Sequence, residues 1–395
     1  MIYSYGFKNY FGFKEGADVS FLLGSRVPQE ISGGRKAATI LGVKGANGAG
    51  KTNLLKALTF ISTFCTRSFN TTDDGGIDAD PYFDSEEPSE FYIDFLIDNH
   101  IYTYELGVTS TVVIYERLYR KGYVPDDSEK KSRKVQVFER NGNEVVKRIS
   151  ELASIDVISL KSNASLISSA FHYKFAEPLS ILPEIYYFFI TFISNVGYTG
   201  LNDFATNIEN IHNISEFYHK NDKAFNFVKN IIIKSDLGIC DIDIIEGLND
   251  TGKKYYFPMF YHTVGDKRYH LTIYDQSSGT KSLYVKLHLY WRALAFGSVL
   301  ILDEFDLNCH PFMLPKLLEL FESADSNKHG AQFIFTSHIT EVLEKLSKYR
   351  TYLVNKENNE CYCYRLDEIG GDILRHGRAI SPLYNEGKIG GVPKL

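Results

Sequence analysis

The sequence predicts an α/β fold, with a mixed, largely parallel sheet covered by helices and interrupted by a helical insertion. Three observations carry that expectation. An apolar stretch at residues 37–43 runs into glycine-rich sequence and then into an amphipathic helix. Four aliphatic residues, Val299-Leu300-Ile301-Leu302, end in two acids. From residue 255 onward, strand-type and helix-type stretches alternate, the pattern that builds a parallel sheet with helices packed on it.

Taken in order, residues 1–13 alternate between apolar and polar side chains and read as a strand. After the glycine-rich turn, Leu54, Leu55, Leu58 and Ile61 share one face of a helix. Residues 67–90 are polar and hold eight carboxylates from Asp73 to Glu90. They lack the ligand order of a calcium loop and read as a mobile surface loop. Residues 91–106 alternate as a hairpin around Asp98-Asn99, 112–118 continue that sheet, and Asn141-Gly142 marks another hairpin. Residues 151–250 carry longer apolar runs at helical spacing, with Phe217, Phe225 and Val228 as expected buried positions. They divide the chain into an N-terminal part (1–150), a helical insertion (151–250) and a C-terminal part (251–395). The last part reads as helix 281–296, strand 298–302, helix 311–323, strand 332–336, helix and strand.

Composition narrows the class. A net charge of −6 argues against a surface that coats nucleic acid generally. Five scattered cysteines (Cys65, Cys240, Cys309, Cys361, Cys363) imply no disulfide framework. Cys361 and Cys363 read as two thiols on one face of a reduced strand, with no Cys/His pair at zinc-site spacing. The most apolar stretch, 185–193, falls well short of the ~20 residues of a membrane span, and no secretory leader opens the chain. A cytoplasmic protein without membrane contact is expected.

The glycine-rich turn is Gly45-Ala46-Asn47-Gly48-Ala49-Gly50-Lys51-Thr52, which matches G-x-x-x-x-G-K-[ST]. Glycines let backbone N–H groups converge on phosphate oxygens, and the following helix points its positive end at the same anion. Lys51 is placed to reach the β- and γ-phosphates and Thr52 to ligate Mg²⁺, so ATP and Mg²⁺ are the expected ligands. Gly45, Asn47, Gly48, Ala49, Gly50 and the next helical residue, Asn53, complete the nucleotide-binding set.

Asp303 and Glu304 stand at the end of an apolar strand, where open α/β sheets place their ligand chemistry. Asp303 suits Mg²⁺, and Glu304 suits the general base that orients the attacking water. His338 follows another apolar strand, 332–336, and is expected to reach a γ-phosphate. Gln276-Ser277-Ser278-Gly279-Thr280 open a helix with small hydroxyl residues and a glycine. On their own they read first as an ordinary Ser/Thr cap, with a second anion-binding helix terminus as the alternative.

In this order the motifs resemble the ABC-type heads of the structural-maintenance-of-chromosomes, recombination-repair and OLD (overcoming lysogenisation defect) ATPases. Lys51 matches their Walker A lysine, Asp303-Glu304 their Walker B pair, and Ser277-Ser278-Gly279-Thr280 resemble the signature motif. Asp306-Leu307-Asn308 resemble the D-loop and His338 the switch histidine. Phe7-Lys8-Asn9-Tyr10, His310-Pro311 and Gly390-Gly391-Val392-Pro393 are similar to compact OLD-like ATPases of bacterial anti-phage systems. Gln276 departs from the glutamate usual in that family, and no Q-loop glutamine is placed.

The resemblance implies a P-loop NTPase of ABC-head type that hydrolyses ATP. Two copies, as a homodimer or within a higher homo-oligomer, would sandwich the nucleotide, each lending its signature to the other. The 57 residues after His338 are too few for a TOPRIM nuclease, so a separate effector, a nuclease or toxin, is expected. The alternative is a DNA-binding head of a recombination-repair or DNA-maintenance complex. The basic cluster Lys130, Lys131, Arg133 and Lys134 would serve it, or else be a solvated hairpin. A transporter ATP subunit fits less well, since such subunits are shorter.

Overall fold

A computed structural model describes residues 1–123, 132–202, 207–236, 238–248, 252–307, 313–370, 373–375 and 378–392. Its centre is a six-stranded sheet in the order Glu360–Arg365, Thr351–Glu357, Ile40–Gly45, Gln332–Thr336, Val299–Leu302, Ile193–Ser194. Five strands run parallel, and only the edge strand Glu360–Arg365 is antiparallel. Ile40–Gly45 and Gln332–Thr336 are buried along their whole length, as expected of strands covered on both faces.

The side chains of this sheet alternate between two cores. Leu41, Val43, Ile301 and Ile334 join the core under the helix Lys51–Arg67. Ile40, Leu300, Leu302, Phe333 and Phe335 join the core under the helix Ser278–Phe296. The first of these cores is closed from outside by a seven-stranded antiparallel sheet, in which Ile2–Lys8 pairs with both Ala17–Ser20 and Ser89–Ile97. The Lys51–Arg67 helix therefore lies between two sheets, and Tyr5 Oη donates to the Leu54 carbonyl at 3.1 Å.

Within the seven-stranded sheet, Arg140 and Glu116 are fully buried and paired at 3.4 Å. Glu116 also accepts from Ser165 Oγ (2.7 Å) and Leu166 N (2.8 Å), and Arg140 donates to the carbonyls of Lys161 and Ala164. This cluster fixes 161–166 to the sheet, so the chain enters the helix Leu166–His172 at a set point.

Both expected hairpins form: Ile97 pairs with His100 around Asp98-Asn99, and Asn141 with Glu144 around Gly142. Other expectations need correction. The loop at 67–90 is tied down, because Ile77 N donates to Ser110 O (2.7 Å), Phe11 N donates to Asp80 O (2.9 Å), and Ile77 and Ala79 are buried. Residues 151–250 are not helical throughout. Besides the helices Leu182–Ile190, Ile208–Lys220 and Asp222–Ser235, they supply the edge strand Ile193–Ser194 and the strand Ile239–Leu248.

The strand at residue 255 does not re-enter the main sheet. Lys254–Val264 pairs with Ile239–Leu248 and Lys267–Thr272 in a separate three-stranded sheet. Val228 is buried, while Phe217 and Phe225 are half-buried against the same core. The helix expected to begin at 281 begins at Ser278, and the one expected at 311–323 is described as Leu314–Glu322. Cys309, His310-Pro311, Asn308, Pro393, Lys130 and Lys131 lie outside the described residues. Cys361 and Cys363 are free thiols two residues apart on one strand. No described helix is long and apolar enough to cross a membrane.

Candidate functional site

The strand order places the strand of Thr336 between the P-loop strand and the strand of Asp303. The three parallel strands end together, which brings Gly45, Asp303 and the turn at His338 to one edge of the sheet. The P-loop backbone adopts a shape only glycine allows. Gly50 has φ +104°, and a Cβ there would meet Cys361 Sγ at 2.9 Å and the Phe13 ring at 3.0 Å. At Gly45 a Cβ would run into the Val354 carbonyl. Lys51, whose ammonium donates to the carbonyls of Gly45 and Ala46 at 3.1 Å each, closes the loop on itself. Burial lowers the Lys51 pKa, opposed by the carboxylates of Asp303, Glu304 and Asp306.

Asp303 is buried and held on every side. Thr52 Oγ1 donates to its Oδ2 at 2.7 Å and Thr336 Oγ1 to its Oδ1 at 2.5 Å. Its backbone is clasped by one amide side chain: Asp303 N donates to Asn195 Oδ1 (2.7 Å), and Asn195 Nδ2 donates to Asp303 O (2.9 Å). Glu304 follows with φ +49°, outside the regions a β-strand uses, so its carboxylate leaves the strand direction. Its amide is tied to Thr336 Oγ1 at 2.8 Å. The Glu304 and His338 side chains are half-exposed and 3.8 Å apart. Asp306 accepts from His338 N with both oxygens, at 3.2 Å. Lys44, buried, donates to the His338 carbonyl at 2.8 Å and sits 5.0 Å from the centre of the Tyr384 ring. Burial pulls its pKa down to about 8, and Lys51 adds to that while Asp306 and Glu341 oppose it.

Thr52 and Asp303 together offer hard oxygen donors side by side, the chemistry Mg²⁺ requires. Among the described residues no group of three or more His, Cys, Asp or Glu could hold a metal ion. Thr52 and Asp303 would hold a Mg²⁺ whose remaining ligands come from phosphate oxygens and water.

The structure thus gathers the P-loop, Asp303, Glu304, Asp306 and His338. Asn53 opens the same helix but makes no hydrogen bond to another described side chain. The signature-like residues stand apart. Ser277 caps the helix Ser278–Phe296, accepting from Thr280 N at 3.1 Å, and Thr280 Oγ1 donates to Asp236 at 2.9 Å. Ser277 and Ser278 are exposed, and Gln276 is buried. No hydrogen bond links Ser277–Gly279 to the P-loop among the described residues.

Sequence reasoning gave no role to Asn195, Thr336 or Lys44. Thr336 stands two residues before His338, on the strand already singled out. Asn195 follows the two-residue strand Ile193–Ser194 inside what read as a helical region. Its only local signal is an apolar pair, Phe192-Ile193, running through Ser194-Asn195 to a glycine at 197.

Comparison with known proteins follows the same lines. The family model described as "AAA domain, putative AbiEii toxin, Type IV TA system" matches residues 40–344, which runs from the P-loop strand past His338. The chain belongs to this AAA family. Its shared region contains every element that builds the site, from Ile40–Gly45 to Gln332–Thr336. Among solved structures, the AAA chain is similar to the SMC head domain from Thermotoga maritima: 14% identity, 92% of this chain and 98% of that one covered, TM-score 0.45. It is similar also to an SmcHead bound to the C-winged helix domain of ScpA: 15% identity, 92% and 96% covered, TM-score 0.45. No curated protein matches the chain.

Proposed function

We propose that this AAA protein hydrolyses ATP at a site completed by a second copy of itself, and uses that cycle as a switch. The observation that carries the reading is the placement of Glu304 and His338. They face each other 3.8 Å apart at the mouth of the P-loop, with Asp303 behind them bonded to Thr52. ATP would lie with its phosphates on the backbone of 45–52 and on Lys51, which exchanges its two carbonyl partners for phosphate oxygens. Mg²⁺, held by Thr52 and Asp303, would neutralise charge on the phosphates. Glu304 orients and deprotonates the attacking water, and His338 contacts the γ-phosphate. Asp306 and Lys44 hold the His338 backbone from opposite sides.

The signature helix supports completion in trans. It spans 19 residues, about 28 Å, while the strand Val299–Leu302 that returns beside it spans about 13 Å. The turn at Gly297-Ser298 joins them, so Ser277–Gly279 lie at the far end of a helix that is longer than the strand it leads into. That exposed helix terminus has no acid in its first turn, and Ser277 occupies only the Thr280 N–H, which leaves the earlier N–H groups for an anion.

A Glu304→Gln variant is expected to accumulate as an ATP-bound dimer, measured by light scattering after gel filtration. An unchanged mass with and without ATP would sink the sandwich. Ser278→Arg mixed with Lys51→Ala should regain part of the turnover that each lacks alone, because one intact composite site can form.

The effector is read as a separate toxin or nuclease in a bacterial anti-phage setting, with the ATPase working in the cytoplasm. The family's own description, which names a toxin–antitoxin system, favours this over DNA maintenance. So does the outer face of the seven-stranded sheet. Arg117 there is bonded to Glu139 at 2.9 Å, and Lys134 rests on the Tyr119 ring, so the cations sit among carboxylates and aromatic rings. Duplex DNA titrated across a salt series decides between them: tight, ATP-dependent binding with a steep salt slope would favour the DNA reading.

A further inference from the structure

A cavity of about 630 Å³ opens along the flank of the P-loop helix and includes no residue of 45–52. Its volume falls in the range of small-molecule sites, roughly 300–1,000 Å³. Lys56, Thr59, Thr63 and Arg67 line it from one face of that helix, at the i, i+3, i+7, i+11 spacing that keeps side chains in a row. Arg292 enters from the signature helix, and Phe192 and Tyr198 form part of the wall.

The charge in this cavity is not balanced from within. Arg67 and Arg292 make no hydrogen bond or ion pair with any described residue. Lys56 differs: it rests over the Phe11 ring at 4.2 Å, and the carboxylates of Asp80 and Asp303 oppose the burial that lowers its pKa. Asp78 is the one acid among the described lining residues. Burial, and then its neighbour Asp80, raise the Asp78 pKa. Lys56 and Arg67 are eleven positions apart, about 16 Å along the helix axis. The lining is longer than a single phosphate, which leaves room for a ligand with separated phosphates and planar bases, its rings against Phe192 and Tyr198.

The cavity is also connected to the ATP site. Thr59 Oγ1 and Ser194 Oγ are 2.9 Å apart on its wall. Ser194 precedes Asn195, the side chain that clasps the Asp303 backbone. We propose that this cavity binds a dinucleotide-sized phosphate ester, separate from the ATP on the P-loop, and that its occupancy reaches Asp303 through Thr59, Ser194 and Asn195.

Binding is measured by calorimetry on Lys51→Ala, whose P-loop no longer takes nucleotide, with the linear dinucleotides pApA and pGpG and with pyrophosphate as probes. At least one dinucleotide is expected to bind, and the Arg67→Ala/Arg292→Ala pair to weaken it by about tenfold or more. The Arg67→Lys/Arg292→Lys pair should keep most of the affinity. Three outcomes overturn the proposal: no dinucleotide binding up to about 1 mM, binding unaffected by the alanine pair, or pyrophosphate binding as tightly as either dinucleotide.

The coupling arm rests on the ATPase reading, whereas the binding arm does not. A bound dinucleotide is expected to change ATP turnover by about threefold or more in the wild type. In Thr59→Val it should still bind but leave turnover unchanged. A turnover effect that persists in Thr59→Val removes the proposed route, and an enzyme without ATP turnover but with dinucleotide binding removes the ATPase reading alone.

Discussion

Thr336 shows how much one side chain can hold in this site. Its single hydroxyl hydrogen goes to Asp303, and its lone pair receives the Glu304 amide. Thr336→Val keeps the shape and removes both bonds, leaving a buried carboxylate oxygen and an amide without partners. A loss of about 1–3 kcal/mol in urea denaturation is expected, together with a fall in ATP turnover larger than the fall in ATP binding. Lys44 makes a second residue-scale prediction, through pH. Its pKa is pulled from 10.5 to about 8 in the folded protein. Between those values the unfolded chain binds the extra proton, so this group makes the fold more stable as pH rises from about 8 toward 10.5. Below pH 8 both states are charged, and the cost of the buried ammonium is fully present. Lys44→Met should flatten that rise in a comparison of chemical denaturation at pH 7.5 and 9.5.

The elements of the site differ in how openly the sequence declares them. The P-loop is a contiguous pattern whose chemistry is local, so its strand, turn and helix can be read directly. Val299–Leu302 and Gln332–Thr336 were equally legible, because a fully buried parallel strand is an unbroken apolar run. Ile193–Ser194 was not, since two residues show no period and the surrounding apolar runs resemble helix. Asn195 acquires its role only when that edge strand is laid beside Asp303. Gly50→Ala tests the rigidity of the loop element. It is expected to lower ATP affinity at least about tenfold in a fluorescent-nucleotide titration, and adding Cys361→Ala should not restore it. The second change relieves the 2.9 Å contact with sulfur but not the +104° backbone angle.

At the scale of the molecule, the parallel strands that carry the motifs could be read from apolar runs and strand–helix alternation. The three-stranded sheet at 239–272 could not, because its strands look like a continuation of the main one. Long-range pairing decides which sheet a strand joins, and that information is not in any one window. The buried Glu116–Arg140 pair carries its weight at this scale too, as it locks the segment leading into 166–202 against the seven-stranded sheet. Arg140→Leu strands a buried carboxylate, and a loss of about 3–5 kcal/mol in global stability, read from the denaturant midpoint, is the expected result.

The bond from the Glu304 amide to the Thr336 hydroxyl has a further consequence, for hydrogen–deuterium exchange. Glu304 lies in a turn, where amides ordinarily trade their hydrogen with solvent quickly. Here that hydrogen is held by the Thr336 hydroxyl oxygen, whose own proton is given to Asp303. The deuterium uptake of this one amide therefore reports whether the carboxylate beneath it is seated, in a folded protein and without any label at the site.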